Sequence, residues 1–349
     1  MRKHNFPLFS IIIPTYNSQA TLELTLQSVK KQTYPQNKIE ILVIDGGSTD
    51  ATYKIAKKYK CRIIKNSKVL QVYAKHIGYL RSKGKYIMHL DSDEVLENNN
   101  SLKLKYQTFK KNKNVRAVLA SGYKTPPGYS QANYLVTEYG DAFSYFLYHN
   151  STTYGFFEKD LRKYGRTVYE DKNCLLVDQV GGGLLPLVEL SVMSFTVDRK
   201  YLVRNFPELE KNSFLISHVY YMIIKKGGLI GFIKNDPVFH YSILSFRKYF
   251  KKIRSRVINN VYKTDMGMSA FSGRDRYYPK WFNYKKYLFL PYSLSLIAPL
   301  VDGIYLTYAR KRLVFILHPL LCLQIVILIT YYYFLKLIRI ETKIKAWGT

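Results

Sequence analysis

Three carboxylates follow directly after a short apolar run in this chain. Residues 86–90 are typical of a buried strand, and Asp91, Asp93 and Glu94 come next. Paired aspartates at the carboxyl end of a parallel strand lie where open α/β sheets bind ligands. Their oxygens suit a hard divalent cation. An ordinary solvated turn is the alternative, because Asp-Ser-Asp is also common turn chemistry.

Two more polar loops follow apolar runs earlier in the chain. Pro14-Thr15-Tyr16-Asn17 comes after residues 9–13, and Asp45-Gly46-Gly47-Ser48-Thr49-Asp50 comes after residues 39–44. In a doubly wound sheet, loops that leave the carboxyl ends of neighbouring strands line one crevice. Asp45 and Asp50 suit the hydroxyls or imide of a nucleoside, and the glycines let the backbone come close to a ligand. Asp91 and Asp93 suit a cation that bridges two phosphates.

The elements that position these loops alternate between strands and helices. Strands are predicted near 9–13, 39–44, 62–64 and 86–90, and helices near 21–32, 50–59 and 71–82. This alternation predicts an α/β fold with a doubly wound parallel sheet. The chain has neither a Walker P-loop nor a GxGxxG motif, so kinases and dinucleotide oxidoreductases fit poorly. Later elements are predicted as a helix at 102–111, a strand at 117–121, a helix at 213–226 and a strand at 230–233.

Composition favours an anionic partner. The 349 residues carry a formal net charge of +30, which is compatible with nucleic acid, an anionic membrane surface or a phosphorylated substrate. No nucleic-acid reading element is recognisable, so nucleic acid is not expected as a partner. The three cysteines are widely spaced, which suits a reducing compartment. The basic start of the chain leads into a strand rather than a secretory leader, so a cytoplasmic catalytic part is expected.

The carboxy-terminal third has a different composition. Residues 1–245 are predicted to form the α/β domain, and 246–287 a basic amphipathic segment that binds an anionic membrane surface or packs on the enzyme. Residues 288–349 are predicted to be membrane-associated, with 313–335 as one span or a re-entrant segment. A soluble aromatic helical domain is the alternative.

The three loops together resemble the family 2 glycosyltransferases. The matching stretches are Ser10–Asn17, Val43–Asp50 and Gly84–Asp93, in the same order and at the same spacing. The resemblance implies a Rossmann-like GT-A fold and inverting transfer of a sugar from a UDP- or GDP-sugar, with Mg²⁺ or Mn²⁺ on the diphosphate. It implies that Asp93 binds the metal, with Asp91 and His240 as further candidates. It also implies nucleotide-sugar contacts from Pro14, Thr15, Tyr16, Asn17, Asp45, Gly46, Asp50, Lys75, Asp91 and Ser92.

Two stretches depart from the family pattern. Ala74-Lys75-His76-Ile77-Gly78 replaces a common Arg-Asn-x-Gly, and Lys75 is a weaker bidentate partner for phosphate than arginine. Ser217-His218 stands near the position of the usual Glu-Asp pair, whose aspartate is the general base in the relatives.

These departures leave the base open. His218 would deprotonate an acceptor hydroxyl, or the acceptor is an ionised polyprenyl phosphate that needs no base, or His218 only packs its helix. Asp198 is a lesser candidate for an acceptor or metal contact. The stretch Asp236–His240 resembles a segment that closes over the diphosphate in relatives.

The sequence therefore predicts a glycosyltransferase of the prokaryotic membrane-associated type. A polyprenyl-phosphate or polyprenyl-diphosphate-linked acceptor is expected, at the cell membrane, with the catalytic domain on the cytoplasmic side. Physically, the apolar tail and the basic residues both favour a lipid-bound anionic acceptor. The alternatives are a soluble or protein acceptor with the tail as an anchor, and an inactive GT-A-like scaffold.

Overall fold

The chain forms two compact units. A computed structural model describes residues 6–179, 193–262 and 275–340. The amino-terminal unit contains residues 6–124, 154–179 and 193–241, and the carboxy-terminal unit contains 125–153, 242–262 and 275–340. The second unit includes 125–153, which lie within the α/β domain predicted at 1–245, and it joins the described parts of 246–287 and 288–349 in one body.

Within the described residues, the strands all belong to the amino-terminal unit. Their bounds are β1 Phe9–Thr15, β2 Ile39–Asp45, β3 Arg62–Lys65, β4 Tyr86–His89, β5 Glu94–Leu96, β6 Val115–Leu119, β7 Tyr123–Lys124, β8 Arg166–Glu170, β9 Cys174–Asp178, β10 Thr196–Asp198, β11 Leu229–Ile233 and β12 Val238–His240.

The helices are divided between the two units. Those of the amino-terminal unit are α1 Leu22–Lys30, α2 Thr52–Lys58, α3 Gln71–Arg81, α4 Ser101–Lys111, α7 Phe157–Lys163, α8 Arg199–Asn205 and α9 Val219–Lys225. Those of the carboxy-terminal unit are α5 Gln131–Tyr139, α6 Ala142–Tyr148, α10 Phe246–Tyr262, α11 Lys280–Lys285, α12 Phe289–Leu294, α13 Ile297–Arg310 and α14 His318–Leu337. Short 3-10 turns lie at Gln36–Lys38, Pro207–Glu210, Ser213–His218, Asp275–Tyr277, Lys286–Leu288 and Leu313–Leu317.

The main sheet is parallel where the sequence predicted it and mixed beyond. Nine described strands pair in the order β3-β2-β1-β4-β10-β6-β11-β9-β8. Strands β3, β2, β1 and β4 are mutually parallel, which confirms the prediction for residues 9–95. Strand β10 then pairs antiparallel with both β4 and β6, and β9 and β8 extend the far edge antiparallel.

The centre of this sheet is buried because β1 is apolar along most of its length. All seven residues of β1 are buried, as expected for a strand covered on both faces. Leu22, Leu26 and Val29 recur at helical spacing and bury one face of α1. Helix α3 lies very close to β1 at Gly78, where a Cβ would meet Ile12 Cγ2 at 2.3 Å. Glycine is therefore required at this contact.

A small second sheet carries the chain back to the carboxyl ends of the main strands. Strand β12 pairs antiparallel with β5 and parallel with β7. The segment before β12 is held by an ion pair between Lys105 and Asp236, both fully buried. Ser101 Oγ donates to Asp236 Oδ2 at 2.9 Å, and the Asp236 amide donates to Ser121 Oγ at 2.8 Å.

The carboxy-terminal unit is helical in its described part. By length and apolar composition, one helical segment there, Leu313–Leu337, could cross a membrane. A second pair of segments, Lys280–Leu294 and Ile297–Arg310, is comparably apolar but bent by 91°. The predicted segment 313–335 thus coincides with a continuous helical stretch, and its crossing of a membrane stays a prediction.

We predict that Lys105→Met destabilises the protein by about 3–5 kcal/mol, because it leaves the buried Asp236 carboxylate without its counter-charge. Chemical denaturation followed by circular dichroism measures this loss. Lys103→Met on the exposed face of α4 is the matched control and should change the free energy of unfolding by no more than about 0.5 kcal/mol. Equal effects of the two substitutions would contradict a structural role for the buried pair.

Candidate active site

Three polar loops leave the same edge of the main sheet. Thr15 at the end of β1 pairs with Asp45 at the end of β2, and Ile12 pairs with His89 at the end of β4. The three strands therefore end close together, and the loops that follow them are neighbours. The three loops thus lie at one edge of the sheet, as the sequence predicted, and the ligand crevice that they would line stays a prediction. Pro14 lies inside β1 and is buried, so it shapes the strand rather than the loop.

Asp45 organises the loop that follows it. Its Oδ2 accepts hydrogen bonds from the amides of Gly47 at 3.0 Å and Ser48 at 2.9 Å. Its Oδ1 accepts from Thr15 Oγ1 at 3.1 Å and from Ser48 Oγ at 2.5 Å. Gly47 has φ +89, a conformation that a residue with a Cβ rarely adopts. The carboxylate thus fixes the Asp45–Asp50 loop in one shape.

Asn17 and Asp50 tie the first two loops together. Asn17 Oδ1 accepts from the Thr49 amide at 2.8 Å, and the Asn17 amide donates to Ser48 Oγ at 2.8 Å. Asp50 accepts from the amides of Gln19 at 3.0 Å and Thr52 at 2.9 Å. The sequence assigned both side chains to the nucleoside. The structure shows them bracing the loops.

The Tyr16 ring of the first loop lies next to Gly46 of the second loop. A Cβ on Gly46 would lie 3.2 Å from the Tyr16 ring, and the Gly46 amide donates to the Thr15 carbonyl at 2.9 Å. Tyr16 is partly exposed. Its ring therefore offers a flat surface beside close-lying backbone, which suits a planar base.

The aspartate turn is anchored from two sides. Asp91 Oδ1 lies 3.0 Å from Lys75 Nζ, and both side chains are largely buried. Ser92 Oγ donates to Ser18 Oγ at 3.0 Å, and its carbonyl accepts from Thr25 Oγ1 at 3.0 Å. The sequence assigned Lys75 to a phosphate. The structure pairs the buried ammonium with the Asp91 carboxylate as its counter-charge, and a contact of Lys75 with a phosphate stays a prediction.

Glu94 is a buried support that sequence reasoning did not assign to the site. Its Oε1 accepts from the Tyr123 hydroxyl and from the Met193 amide at 2.9 Å, and Oε2 accepts from the Asp91 amide at 3.0 Å. Burial and the nearby Asp91 carboxylate raise the pKa of Glu94 to about 8, against the effect of these hydrogen bonds. The signal in the sequence was the third carboxylate directly after Asp91 and Asp93.

Asp93 and His240 come together across the small sheet. Strand β12 pairs with β5 so that His240 lies opposite Glu94, and the Tyr241 amide donates to the Asp93 carbonyl at 2.8 Å. His240 Nε2 lies 3.7 Å from Asp93 Oδ2. The Tyr123 ring stacks on His240 with centroids 4.5 Å apart. A strand remote in sequence therefore brings an imidazole to the aspartate turn.

This pair fits a divalent cation. It combines a hard carboxylate oxygen with an imidazole nitrogen, a donor set that suits manganese, and Mg²⁺ commonly takes only one or two protein ligands beside phosphate oxygens. Among the residues that the structure describes, no cluster of three or more His, Cys, Asp or Glu could hold a metal by itself. A cation here would therefore share its coordination sphere with a bound ligand.

Two further candidates from the sequence are His218 and Asp198. His218 ends the 3-10 turn Ser213–His218 and has no exposed surface. Asp198 pairs with Tyr86, at the opposite end of β4 from Asp91, and accepts from the Tyr201 amide at 3.1 Å as the N-cap of α8. The structure does not bring Asp198 to the aspartate turn.

We predict that Glu94→Gln lowers the free energy of unfolding by about 1–3 kcal/mol, because an amide NH₂ would replace an acceptor that buried donors require. Thermal and chemical denaturation measure the loss. Glu97→Gln is the matched control, since Glu97 forms a partly exposed ion pair with Lys124 at 2.7 Å that contributes about 0–1 kcal/mol. A loss no larger than that of the control would remove Glu94 as a support of the turn.

Comparisons with known proteins agree on one family. The family model described as glycosyl transferase family 2 matches residues 10–176. Poly(ribitol-phosphate) beta-N-acetylglucosaminyltransferase TarS of Staphylococcus aureus strain Mu50 is 33% identical over 96 residues, which are 25% of this chain and 16% of TarS. Glycosyltransferase AglE of Haloferax volcanii is 34% identical over 93 residues, 25% of this chain and 31% of AglE. The chain thus matches less than a third of either relative's length.

A solved structure shares the fold over most of the chain. The mannosyltransferase PcManGT of Pyrobaculum calidifontis, in complex with GDP-Man and Mn²⁺, superposes with a TM-score of 0.51 at 12% identity, covering 93% of this chain and 87% of that one. The family match spans β1, β2, β4 and the three loops described above. The chain therefore has a GT-A-like fold, and residues 10–176, just under half of it, match glycosyl transferase family 2.

Proposed function

We propose that the protein is a metal-dependent, inverting glycosyltransferase with a nucleotide-sugar donor and a lipid-linked acceptor. The donor is a UDP- or GDP-sugar, and the acceptor carries a polyprenyl phosphate or diphosphate. The reaction is proposed at the cell membrane, with the catalytic unit on the cytoplasmic side. The observation that carries the proposal is the approach of His240 to Asp93, at the sheet edge where the braced Asp45–Asp50 loop also lies.

The braced loops are assigned to the nucleotide. Tyr16 and the backbone around Gly46 would bind the base, with Thr15 and Asp45 setting the loop shape. Asn17 and Asp50 act by holding this shape, because their side chains are engaged within the loops. The complex of PcManGT with GDP-Man supports a nucleotide-sugar donor for this fold.

The aspartate turn is assigned to the diphosphate. Asp93 and His240 would hold Mn²⁺ or Mg²⁺, and the cation, when bound, offsets negative charge on the departing nucleotide diphosphate. Lys75 fixes the Asp91 carboxylate, and Glu94 fixes the Asp91 amide, so the turn is organised before a ligand arrives. Such preorganisation avoids reorganisation during the reaction.

Burial of His218 favours an acceptor that needs no base. An imidazole without exposed surface does not reach an acceptor hydroxyl unless its segment moves. A phosphate monoester is largely ionised near neutral pH, since its second pKa is about 6. Its oxygen can attack the sugar without a proton acceptor. The exposed apolar residues of the carboxy-terminal unit, such as Leu313 and Leu337, also favour a lipid-linked substrate.

A polymeric or other soluble acceptor is the second candidate. It is favoured by the similarity of the amino-terminal residues to TarS, whose name specifies poly(ribitol-phosphate) as the acceptor. Such an acceptor presents a hydroxyl and would require a base, so His218 would have to become accessible. The carboxy-terminal unit would then serve as an anchor only.

We predict that Asp93→Asn lowers turnover about 100- to 1,000-fold and weakens Mn²⁺ binding in the presence of nucleoside diphosphate, because a neutral amide is a poor cation ligand. Nucleotide release and electron paramagnetic resonance of Mn²⁺ measure the two effects. Glu208→Gln removes an exposed carboxylate and should leave both unchanged. If the wild-type protein bound the nucleotide but released no sugar with any donor, it would be an inactive scaffold instead.

We predict that the purified full-length protein transfers labelled sugar from a UDP- or GDP-sugar to polyprenyl phosphate in the presence of Mn²⁺ or Mg²⁺. Label extracted into organic solvent measures the transfer, with EDTA as the control. His218→Ala, with folding checked by circular dichroism, should retain this transfer within about threefold, because a phosphate acceptor needs no base. Transfer only to a water-soluble acceptor, lost in His218→Ala, would favour the second candidate.

A further inference from the structure

Helix α14 has two faces of different kinds. His318, Leu321, Cys322, Ile325 and Tyr332 are buried and form one stripe that packs inside the carboxy-terminal unit. Residues on the other side are apolar but exposed, among them Leu320, Ile327, Phe334 and Leu337, with 57–80% of their surface accessible. Soluble proteins rarely expose a contiguous apolar face of this kind. One side of α14 is therefore covered by protein, and the other side exposes apolar side chains that suit a nonpolar environment.

Helix α10, which packs beside α14, argues against a transmembrane orientation of α14. Arg254 Nε donates to Tyr332 Oη at 2.5 Å, and Lys336 Nζ donates to the Val261 carbonyl at 2.7 Å. Tyr262 Oη donates to the Ile340 carbonyl at 3.1 Å. Later residues of α10 thus contact later residues of the 318–340 stretch, so the two helices run side by side in the same direction.

This neighbour carries cations along its exposed face. Arg247, Lys248, Lys251 and Arg254 of α10 are all exposed. Since α10 runs back from Arg254 beside the middle of α14, a span formed by 313–337 would place these cations within the hydrocarbon core. Charged side chains at that depth are costly unless they face protein or water. The pairing of α10 with α14 therefore favours an orientation along the membrane surface.

The bent pair of segments leads to the same conclusion. Near its start, Lys285 Nζ donates to the Leu147 carbonyl of α6 at 2.9 Å, and at its end Arg310 lies 2.7 Å from Glu138 of α5. Both ends are therefore held against neighbouring helices of the unit, and the 91° bend between them keeps the two segments from forming one straight span.

The corner of the bent pair is exposed and apolar. It lies between Leu294 and Ile297, with Leu296 at φ 56. Leu294 is 60% exposed, Leu296 48% and Ile297 73%. Trp281, Tyr284 and Tyr287 are also exposed on the preceding segment. Exposed aromatic residues near an apolar corner are typical of a protein that inserts into the interface of one leaflet.

The charged side chains of the carboxy-terminal unit also favour binding to a membrane surface. Glu138 and Asp141 are buried and paired with Arg310 and Arg256, and Asp302 accepts from the Tyr292 hydroxyl. Among the side chains described in this unit, the fully exposed charges are thus basic. Basic residues beside an apolar face bind membranes that contain anionic lipids.

We propose that the carboxy-terminal unit docks in the plane of one leaflet of an anionic membrane, with the 294–297 corner inserted and with 313–337 lying along the interface instead of crossing. The occupant of this surface is a lipid bilayer. This docking does not depend on the identity of the donor or acceptor, and it differs from the span or re-entrant segment that the sequence predicted at 313–335.

The first test locates the two ends of the 313–337 stretch. Arg312→Cys and Ile338→Cys are made separately in a full-length Cys61→Ser background, because Cys174 and Cys322 are buried. Each protein is bound to sealed vesicles of phosphatidylcholine and phosphatidylglycerol and treated with a membrane-impermeant maleimide. In-plane docking predicts that both thiols react from outside, within about twofold of each other, with no gain when freeze–thaw admits the reagent to the lumen. Reaction of one end only after freeze–thaw would overturn the proposal.

The second test measures binding to the same vesicles by co-flotation. Leu296→Glu/Ile297→Glu at the corner and Lys248→Glu/Lys251→Glu on α10 should each weaken binding at least tenfold at low salt. Lys54→Glu/Lys57→Glu on the exposed face of α2 makes the same change in charge in the other unit and should change binding less than twofold. Unchanged binding of the corner variant, or no binding of the wild-type protein, would overturn the proposal. Circular dichroism confirms that each variant is folded.

Discussion

Parallel pairing of β1 between β2 and β4 is the constraint on which the rest of the amino-terminal unit depends. Because the three strands run in the same direction and in register, their carboxyl ends meet at one edge. The apolar stretch Ile11–Ile13 buries this centre from both faces, and Gly78 lets α3 approach it closely. The ends of these strands therefore position every polar group that is assigned to the nucleotide.

The aspartate turn depends on a second, buried layer of polar contacts. Glu94 and Lys75 hold Asp91 from two directions. The Lys105–Asp236 pair fixes the segment that leads into β12, and β12 carries His240 to Asp93. Burying these charges is costly unless each finds a partner. The result is a turn whose shape is determined by protein contacts before any ligand binds.

The sequence predicted where the strands end in polar loops. It did not reveal which protein groups the side chains of these loops would contact. Strands β1, β2 and β4 were predicted from apolar runs that end in polar loops, and α3 and α4 lie within a residue of their predicted bounds. Lys75, Asn17 and Asp50 were assigned to a ligand, and the structure shows that each of them also contacts a protein group remote in sequence. Such contacts join residues 16–32 positions apart, which no periodicity reveals. The place of 125–153 in the second unit depends on packing against helices far along the chain.

The large positive charge of the chain can be interpreted only when the structure shows where the cations lie. A net charge of +30 by itself does not distinguish among anionic partners. In the carboxy-terminal unit, Glu138 and Asp141 form internal ion pairs, while Arg247, Lys248 and Lys251 of α10 are exposed on a helix that runs beside α14. An apolar face flanked by unbalanced cations fits a lipid surface better than a nucleic acid, because a nucleic acid offers no apolar surface of that extent. The proposed in-plane docking is compatible with that composition, because a helix with one buried side and one side in contact with lipid would be as apolar as one that crosses.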